Sequence, residues 1–247
     1  MSVQDILKQC TVTGTTVKLP DMQLDRKLYL DVKKALELIG GKWKGHNIQG
    51  FVFPGDPTDL LAEIASGEKR NLKKEFQFFE TPAELADQMV KMAEIERHHM
   101  VLEPSAGQGA IIKAILRGNN KPSTEIHYYE LMDINRKFLE KIRPTEYIGD
   151  DFLNTKHVYF YDRIIANPPF SKNQDIKHVY HMYNKLKSGG RIVTIMSNHW
   201  TFANDNESKK FREWLTENDA ETHDLHPGIF KSSGTTISAQ MVVINKK

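Results

Sequence analysis

From residue 76 onward, short apolar runs alternate with longer segments whose apolar residues recur at helical spacing. Few folds accept that pattern. Parallel strands need a crossover of a dozen or more residues between them, and a helix is the usual crossover. Strands are expected at 100–103, 125–130, 146–149, 163–166, 191–197, 221–225 and 238–245, and helices at 82–95, 109–116, 134–142, 175–187 and 208–217. The expected fold class is α/β, a Rossmann-like sheet with helices on both faces. Ligands of such sheets bind at the carboxyl ends of the strands.

The residues before 76 read differently. Leu28, Val32, Leu36 and Ile39 recur at helical spacing up to Gly40-Gly41, where glycine tolerates a left-handed cap. A strand is expected at 48–53 and a helix at 57–65, with Asp56 as its cap and Pro57 in its first turn. The polar stretch 66–74 is the seam. The reading is a small N-terminal α+β domain over 1–70 and a larger domain over 76–247. Hydrophobic residues make up 39% of the 247 and charged residues 27%, an ordinary globular mixture. No apolar run approaches the ~20 residues of a membrane-spanning helix. Residues 1–10 are polar where a signal peptide is apolar, so a cytoplasmic location is expected. The single cysteine, Cys10, excludes an internal disulfide and a cysteine-based zinc site. The ten histidines show no ligand spacing, and no metal site is expected. A net charge of +2 leaves any nucleic-acid surface to local clusters.

Four motifs fall at the ends of expected strands. Glu103-Pro104-Ser105-Ala106-Gly107-Gln108-Gly109 joins the first of these strands to a helix. Its glycines allow close backbone approach, and the helix start offers free N–H groups. The acidic opening at Glu103 suits a cationic ligand and disfavours pyrophosphate. Glu130 closes the next strand, where a carboxylate can accept from both ribose hydroxyls. Gly149-Asp150-Asp151-Phe152 closes the third, offering a carboxylate for an adenine amino group and an aromatic for its face. Asp151, next to Phe152, is the favoured carboxylate, with Asp150 as loop residue or cap.

The fourth is Asn167-Pro168-Pro169-Phe170. Two prolines remove two N–H donors and stiffen the turn. The Asn167 side-chain oxygen and the Pro168 carbonyl remain as acceptors for both hydrogens of a planar amino group. Those bonds draw the nitrogen towards tetrahedral geometry and free its lone pair for attack on a methyl sulfonium. Phe170 can stack on an extruded base.

Taken in order with Phe78-Phe79-Glu80-Thr81-Pro82, these motifs resemble the S-adenosylmethionine-dependent amino-methyltransferases. More narrowly they resemble adenine-N6 DNA methyltransferases of the gamma order, such as restriction-system modification subunits and phage or plasmid adenine methylases. The resemblance covers 76–247, including the tail Phe230-Lys231-Ser232-Ser233-Gly234-Thr235. It implies S-adenosylmethionine as cofactor. Phe79, Thr81, Pro82, Glu103, Ala106, Gly107, Gly109, Glu130, Asp151, Phe152 and Asn167 would surround it, and Asn167, Pro168, Pro169 and Phe170 would form the catalytic turn. DNA is the implied partner, with room for a specificity subunit or another protein.

One departure stands out. Gamma-order enzymes carry a recognition region after the last sheet strand, and here that strand is followed directly by Lys247. Recognition then falls to residues 1–75, a loop or a partner, or is weak. Lys42, Trp43 and Lys44 are candidate nucleic-acid contacts, since bases and backbone favour mixed basic and aromatic surfaces; Trp43 as a core residue is the other reading. Asn204-Asp205-Asn206 reads as a lid, or as a loop in which Asn206 or Ser208 caps the next helix. RNA adenine, protein glutamine and a non-catalytic cofactor- or DNA-binding subunit are the competing functions. Phe170, in place of the tyrosine usual in glutamine methyltransferases, leans towards adenine.

Overall fold

The computed structural model describes residues 1–53, 55–72, 80–118, 124–142, 145–230 and 237–247, except the side chains of 134, 137 and 138. The chain divides into two compact units, Met1–Phe78 with Asp133–Phe138, and Phe79–Met132 with Leu139–Lys247.

The first unit holds α1 (Val3–Leu7), β1 (Thr11–Thr13), β2 (Thr16–Lys18), α2 (Arg26–Leu38), β3 (Lys42–Lys44), β4 (Gly50–Val52) and α3 (Thr58–Ala65). Its strands form an antiparallel sheet in the order β1-β2-β4-β3. Asp25 starts α2 by accepting from the Lys27 and Leu28 N–H groups. Gly40 then turns the chain out at φ +95°. α3 starts at Thr58 with Pro57, expected in its first turn, in the cap position in place of Asp56; Asp56 accepts from the Thr58 N–H at 2.9 Å. Ile6, Val17, Val32, Leu36, Ile39 and Phe51 are fully buried.

The second unit is built on a seven-stranded sheet. Its strands are β5 (Met100–Glu103), β6 (Glu125–Tyr129), β7 (Glu146–Gly149), β8 (Tyr161–Ala166), β9 (Leu186–Ser197), β10 (Glu221–Asp224) and β11 (Ala239–Asn245). The order is β10-β11-β9-β8-β5-β6-β7. β5 to β9 are parallel neighbours, and β11 runs antiparallel to both β9 and β10. Helices α4 (Ala83–Ala93), α5 (Ala110–Gly118), α7 (Gln174–Asn184), α8 (His199–Phe202) and α9 (Asn206–Glu217) connect them, and α6 (Asp133–Leu139) lies between β6 and β7 in sequence.

Successive strand residues point to opposite faces, so a doubly covered sheet needs apolar residues at consecutive positions. Val101, Ile165 and Val193 enter the core with α4 and α5. Their chain neighbours Leu102, Ile164 and Ile192 enter the other core with Ile176 and Val179 of α7 and Phe211 of α9.

Several expected boundaries are corrected. β9 begins at Leu186, five residues ahead of the expected strand at 191, and α7 ends at Asn184 where the helix was expected to reach 187. Tyr161 pairs with Leu186, and Gly189, at φ +74°, lets the chain re-enter the ladder. α6 stops at Leu139, short of 142, and all but its last residue group with the first unit. Asp205, rather than Asn206 or Ser208, caps α9, accepting from the Ser208 N–H at 2.9 Å and its hydroxyl at 2.8 Å. No described helix is long and apolar enough to cross a membrane.

Candidate functional site

The loops after β5, β6, β7 and β8 leave the sheet at its carboxyl edge, and they carry the sequence motifs. After β5, Gly107 and Gly109 take φ values of +54° and +75°, which β-carbon-bearing residues rarely adopt. The Ala106 N–H donates to the Tyr129 carbonyl at 2.9 Å, pinning the loop to the end of β6. A β-carbon on Gly109 would lie 2.8 Å from Leu139 Cδ2 and 2.9 Å from Ile142 Cδ1.

Glu130 fastens the same loop. Its carboxylate accepts from the Gly107 N–H at 2.6 Å and from the Met132 N–H at 2.9 Å, and the residue is 6% exposed. Glu103 is 2% exposed and accepts from the Ile112 N–H in the first turn of α5 at 3.1 Å. Burial holds its carboxyl well above the ordinary range; the Ile112 N–H opposes this, and the nearby Glu130 adds to it. In the same loop, the Ser105 hydroxyl oxygen is buried without a hydrogen-bond partner among the described residues.

The loop after β7 gives Asp151 and Asp150 different tasks. Asp151 accepts from the Leu153 N–H at 3.0 Å and the Asn154 amide at 2.6 Å, capping a 3-10 turn over Phe152–Asn154. The cap is therefore Asp151, and Asp150 accepts from the Tyr147 hydroxyl. Phe152 is 2% exposed, edge-on to Tyr129 at 5.3 Å and to His181 at 4.6 Å. Its ring is a wall of the core and presents little open face.

After β8, Pro168 is buried, and Asn167, Pro169 and Phe170 are half-buried. Phe170 packs against the core cluster that holds α4 and α5. The Asn167 amide nitrogen donates to the Thr81 hydroxyl oxygen at 3.0 Å, across 86 positions of sequence. Thr81 is 6% exposed and lies just before α4, with Pro82 half-buried beside it. This bond ties the end of β8 to the segment ahead of α4. Deeper in this edge, Asp175 is 1% exposed and accepts from both the N–H and the hydroxyl of Ser197 at 3.0 and 2.8 Å, tying α7 to the end of β9.

The structure thus brings together Thr81, Asn167, Glu103, Ala106, Gly107, Gly109 and Glu130, with Asp151 on the next loop. Phe79, and Lys231 to Thr235 of the tail motif, lie outside the described residues. Lys42, Trp43 and Lys44 belong to the other unit, all exposed on β3, an edge strand; the Trp43 ring is 40% exposed and edge-on to Phe51 at 5.1 Å. The Thr81 bond to Asn167 was missed by sequence reasoning, because no spacing encodes a contact between distant loops.

The donor set fits a cationic, ribose-bearing ligand. Two buried carboxylates, an unpartnered hydroxyl and glycines in left-handed conformation line one loop. Glu103 would regain its charge beside a sulfonium or ammonium group.

No family model matches the chain. Its fold is shared with solved methyltransferases. The type I restriction-modification methyltransferase subunit from Streptococcus thermophilus superposes with a TM-score of 0.59 at 18% identity, over 68% of this chain and 44% of that one. The EcoKI M protein of a type I restriction enzyme gives 0.57 at 15% identity, over 98% of this chain and 56% of that one. A protein of Pyrococcus horikoshii considered an RNA methyltransferase gives 0.53 at 17% identity, over 77% of this chain and 98% of that one. The chain therefore spans about half the length of the two restriction-system subunits. At these identities the likeness is one of fold, and the second unit has the Rossmann-like sheet of S-adenosylmethionine-dependent methyltransferases.

Proposed function

We propose that this chain transfers a methyl group from S-adenosylmethionine to the N6 amino group of adenine in DNA, with the base turned out of the duplex. The observation that carries the reading is the Asn167 amide, anchored on Thr81 at 3.0 Å at the end of β8. In this reading its oxygen and the Pro168 carbonyl would accept the two hydrogens of one amino group. The cofactor supplies an electrophilic methyl on a sulfonium. The protein's part is to hold and orient. Glu130 and the glycine loop bind the ribose side, Glu103 balances the cationic end, and Asp151 serves the adenine. Asn167 and Pro168 accept both N–H hydrogens of the target, so its lone pair is directed and the proton leaves after attack. Phe170 closes the base pocket, and Phe79, Thr81 and Pro82 complete the cofactor side.

Division into a domain over 1–70 and a catalytic domain over 76–247 belongs to the same reading. Lys42, Trp43 and Lys44, exposed on an edge strand, would then touch DNA, and a specificity subunit or other partner would supply further recognition. A cytoplasmic location belongs to the same reading.

Purified chain, tritiated S-adenosylmethionine and unmethylated duplex DNA should yield labelled N6-methyladenine. Asn167→Ala should lose that label while cofactor affinity stays within about a few fold, since the amide acts on the target nitrogen. Label in RNA or protein would replace the substrate, and no label despite cofactor binding would favour a binding subunit.

A further inference from the structure

We propose that Glu125, His127 and Glu146 form a zinc site at the amino ends of β6 and β7. Three features of the sheet create it. Glu125 and His127 are two residues apart on one strand, so their side chains leave the same face. His127 and Glu146 are direct partners in the parallel β6–β7 ladder. Their ligand atoms therefore converge, all lying within 4.8 Å of one another.

The distances suit a small cation. His127 Nε2 is 2.9 Å from Glu125 Oε1 and 3.6 Å from Glu146 Oε2. Zinc bonds of about 2.0–2.2 Å at tetrahedral angles put neighbouring ligand atoms about 3.4 Å apart, between these two values. The His127 side chain is 2% exposed, whereas those of Glu125 and Glu146 are 54% and 61% exposed. A buried imidazole nitrogen thus faces two carboxylates, both acceptors, at a site open to solvent on the carboxylate side. A hydrogen or a cation must lie between Nε2 and the near carboxylate oxygen. A proton on Nε2 satisfies one near contact, while a divalent cation satisfies all three and cancels both negative charges.

The surroundings already hold the ring. His127 Nδ1 lies 3.2 Å from the Tyr161 hydroxyl, and the ring sits edge-on between Tyr159 at 5.1 Å and Tyr161 at 5.6 Å. A metal-binding imidazole commonly has its second nitrogen hydrogen-bonded in this way. One nitrogen with two carboxylates selects zinc over calcium or magnesium, which take all-oxygen shells of six or more ligands. Three protein ligands leave a fourth position for water. Glu125 and His127 lie ahead of Glu130 along β6, so the ion sits at the opposite end of that strand from the candidate cofactor loop. Its role is to clamp β7, the outermost strand, to β6.

The test is calorimetry of the chelator-treated full chain with zinc chloride, and absorption spectroscopy with cobalt(II) as the probe. One zinc per chain should bind, with tetrahedral cobalt bands and a melting temperature raised by several degrees. Glu125→Gln and Glu146→Gln should each weaken binding about ten- to a hundred-fold, and the double variant should abolish it. Both carboxylates are largely exposed, so the metal-free variants should melt within about 2 °C of the parent. Absence of saturable binding by the parent chain would overturn the site. So would unchanged affinity in the double variant, which would assign the ion to other histidines. Neither outcome depends on methyl transfer.

Discussion

Thr81→Val isolates what the Thr81–Asn167 bond does. Valine keeps the shape of threonine but removes the oxygen that accepts from the Asn167 amide at 3.0 Å. A neutral hydrogen bond contributes about 0.5–1.5 kcal/mol net. If that energy fixes the amide for the transition state, the methyl-transfer rate should fall about two- to thirteen-fold, at RT of about 0.59 kcal/mol. Cofactor affinity should change less than about two-fold, because the wall keeps its volume. Thr81→Ser restores the oxygen and should recover most of the rate. The assay is single-turnover transfer of tritium to DNA, with calorimetry of S-adenosylmethionine binding alongside. A parental rate in Thr81→Val would refute a positioning role, and a loss confined to cofactor affinity would make Thr81 a cofactor contact only.

Glu103→Gln should weaken cofactor binding about ten- to a hundred-fold and make it insensitive to pH, whereas parental binding should tighten as pH rises and release a proton. The sign for folding runs the other way. The folded pKa of Glu103 is raised above its unfolded value, so stability falls as pH rises from about 4.5 towards it, and Glu103→Gln should gain on the parent in melts at pH 8 relative to pH 5; parallel profiles would contradict the burial argument. Gly109→Ala should cost about 2–3 kcal/mol, from left-handed strain and contact with Leu139 and Ile142, and lower the melting temperature about 4–12 °C; an unchanged melt would mean the loop relaxes freely. Asp175→Ala strands both Ser197 donors and should cost about 2–5 kcal/mol, measured by urea unfolding; a loss below about 1 kcal/mol would show that water replaces the carboxylate.

Much of the second unit is legible because its sheet is buried on both faces. Paired apolar positions such as Val101-Leu102 and Ile164-Ile165 mark strands without ambiguity, and the motif loops follow from where those strands stop. The first unit is less legible. β1 and β2 have three residues each, too short for a period to emerge, and only Val17 among them is fully buried. The early start of β9 was hidden by Lys187-Ser188-Gly189-Gly190, which reads as a turn but lies within a strand. The strand-end positions of Gly107 and Glu130 could be read from the sequence. Contacts made across the fold could not. Thr81 reaches Asn167, and Asp175 reaches Ser197, only after the chain has closed. The Glu125-x-His127 alternation is visible in the sequence, yet Glu146 joins it only once the strand register is known.

The place of β11 bears on how this protein is made. The strand Ala239–Asn245 inserts between β9 and β10, which precede it in the chain. A ribosome that has not yet released residue 239 therefore carries β9 with one edge unpaired, its backbone N–H and C=O groups open along the stretch of apolar residues Ile192, Val193, Ile195 and Met196. β10 has no sheet to join until then. Pairing of this half must wait for β11 to emerge, and the waiting edge is a template for pairing with other nascent chains. Chaperone demand during synthesis should peak in that interval and end once β11 closes the gap.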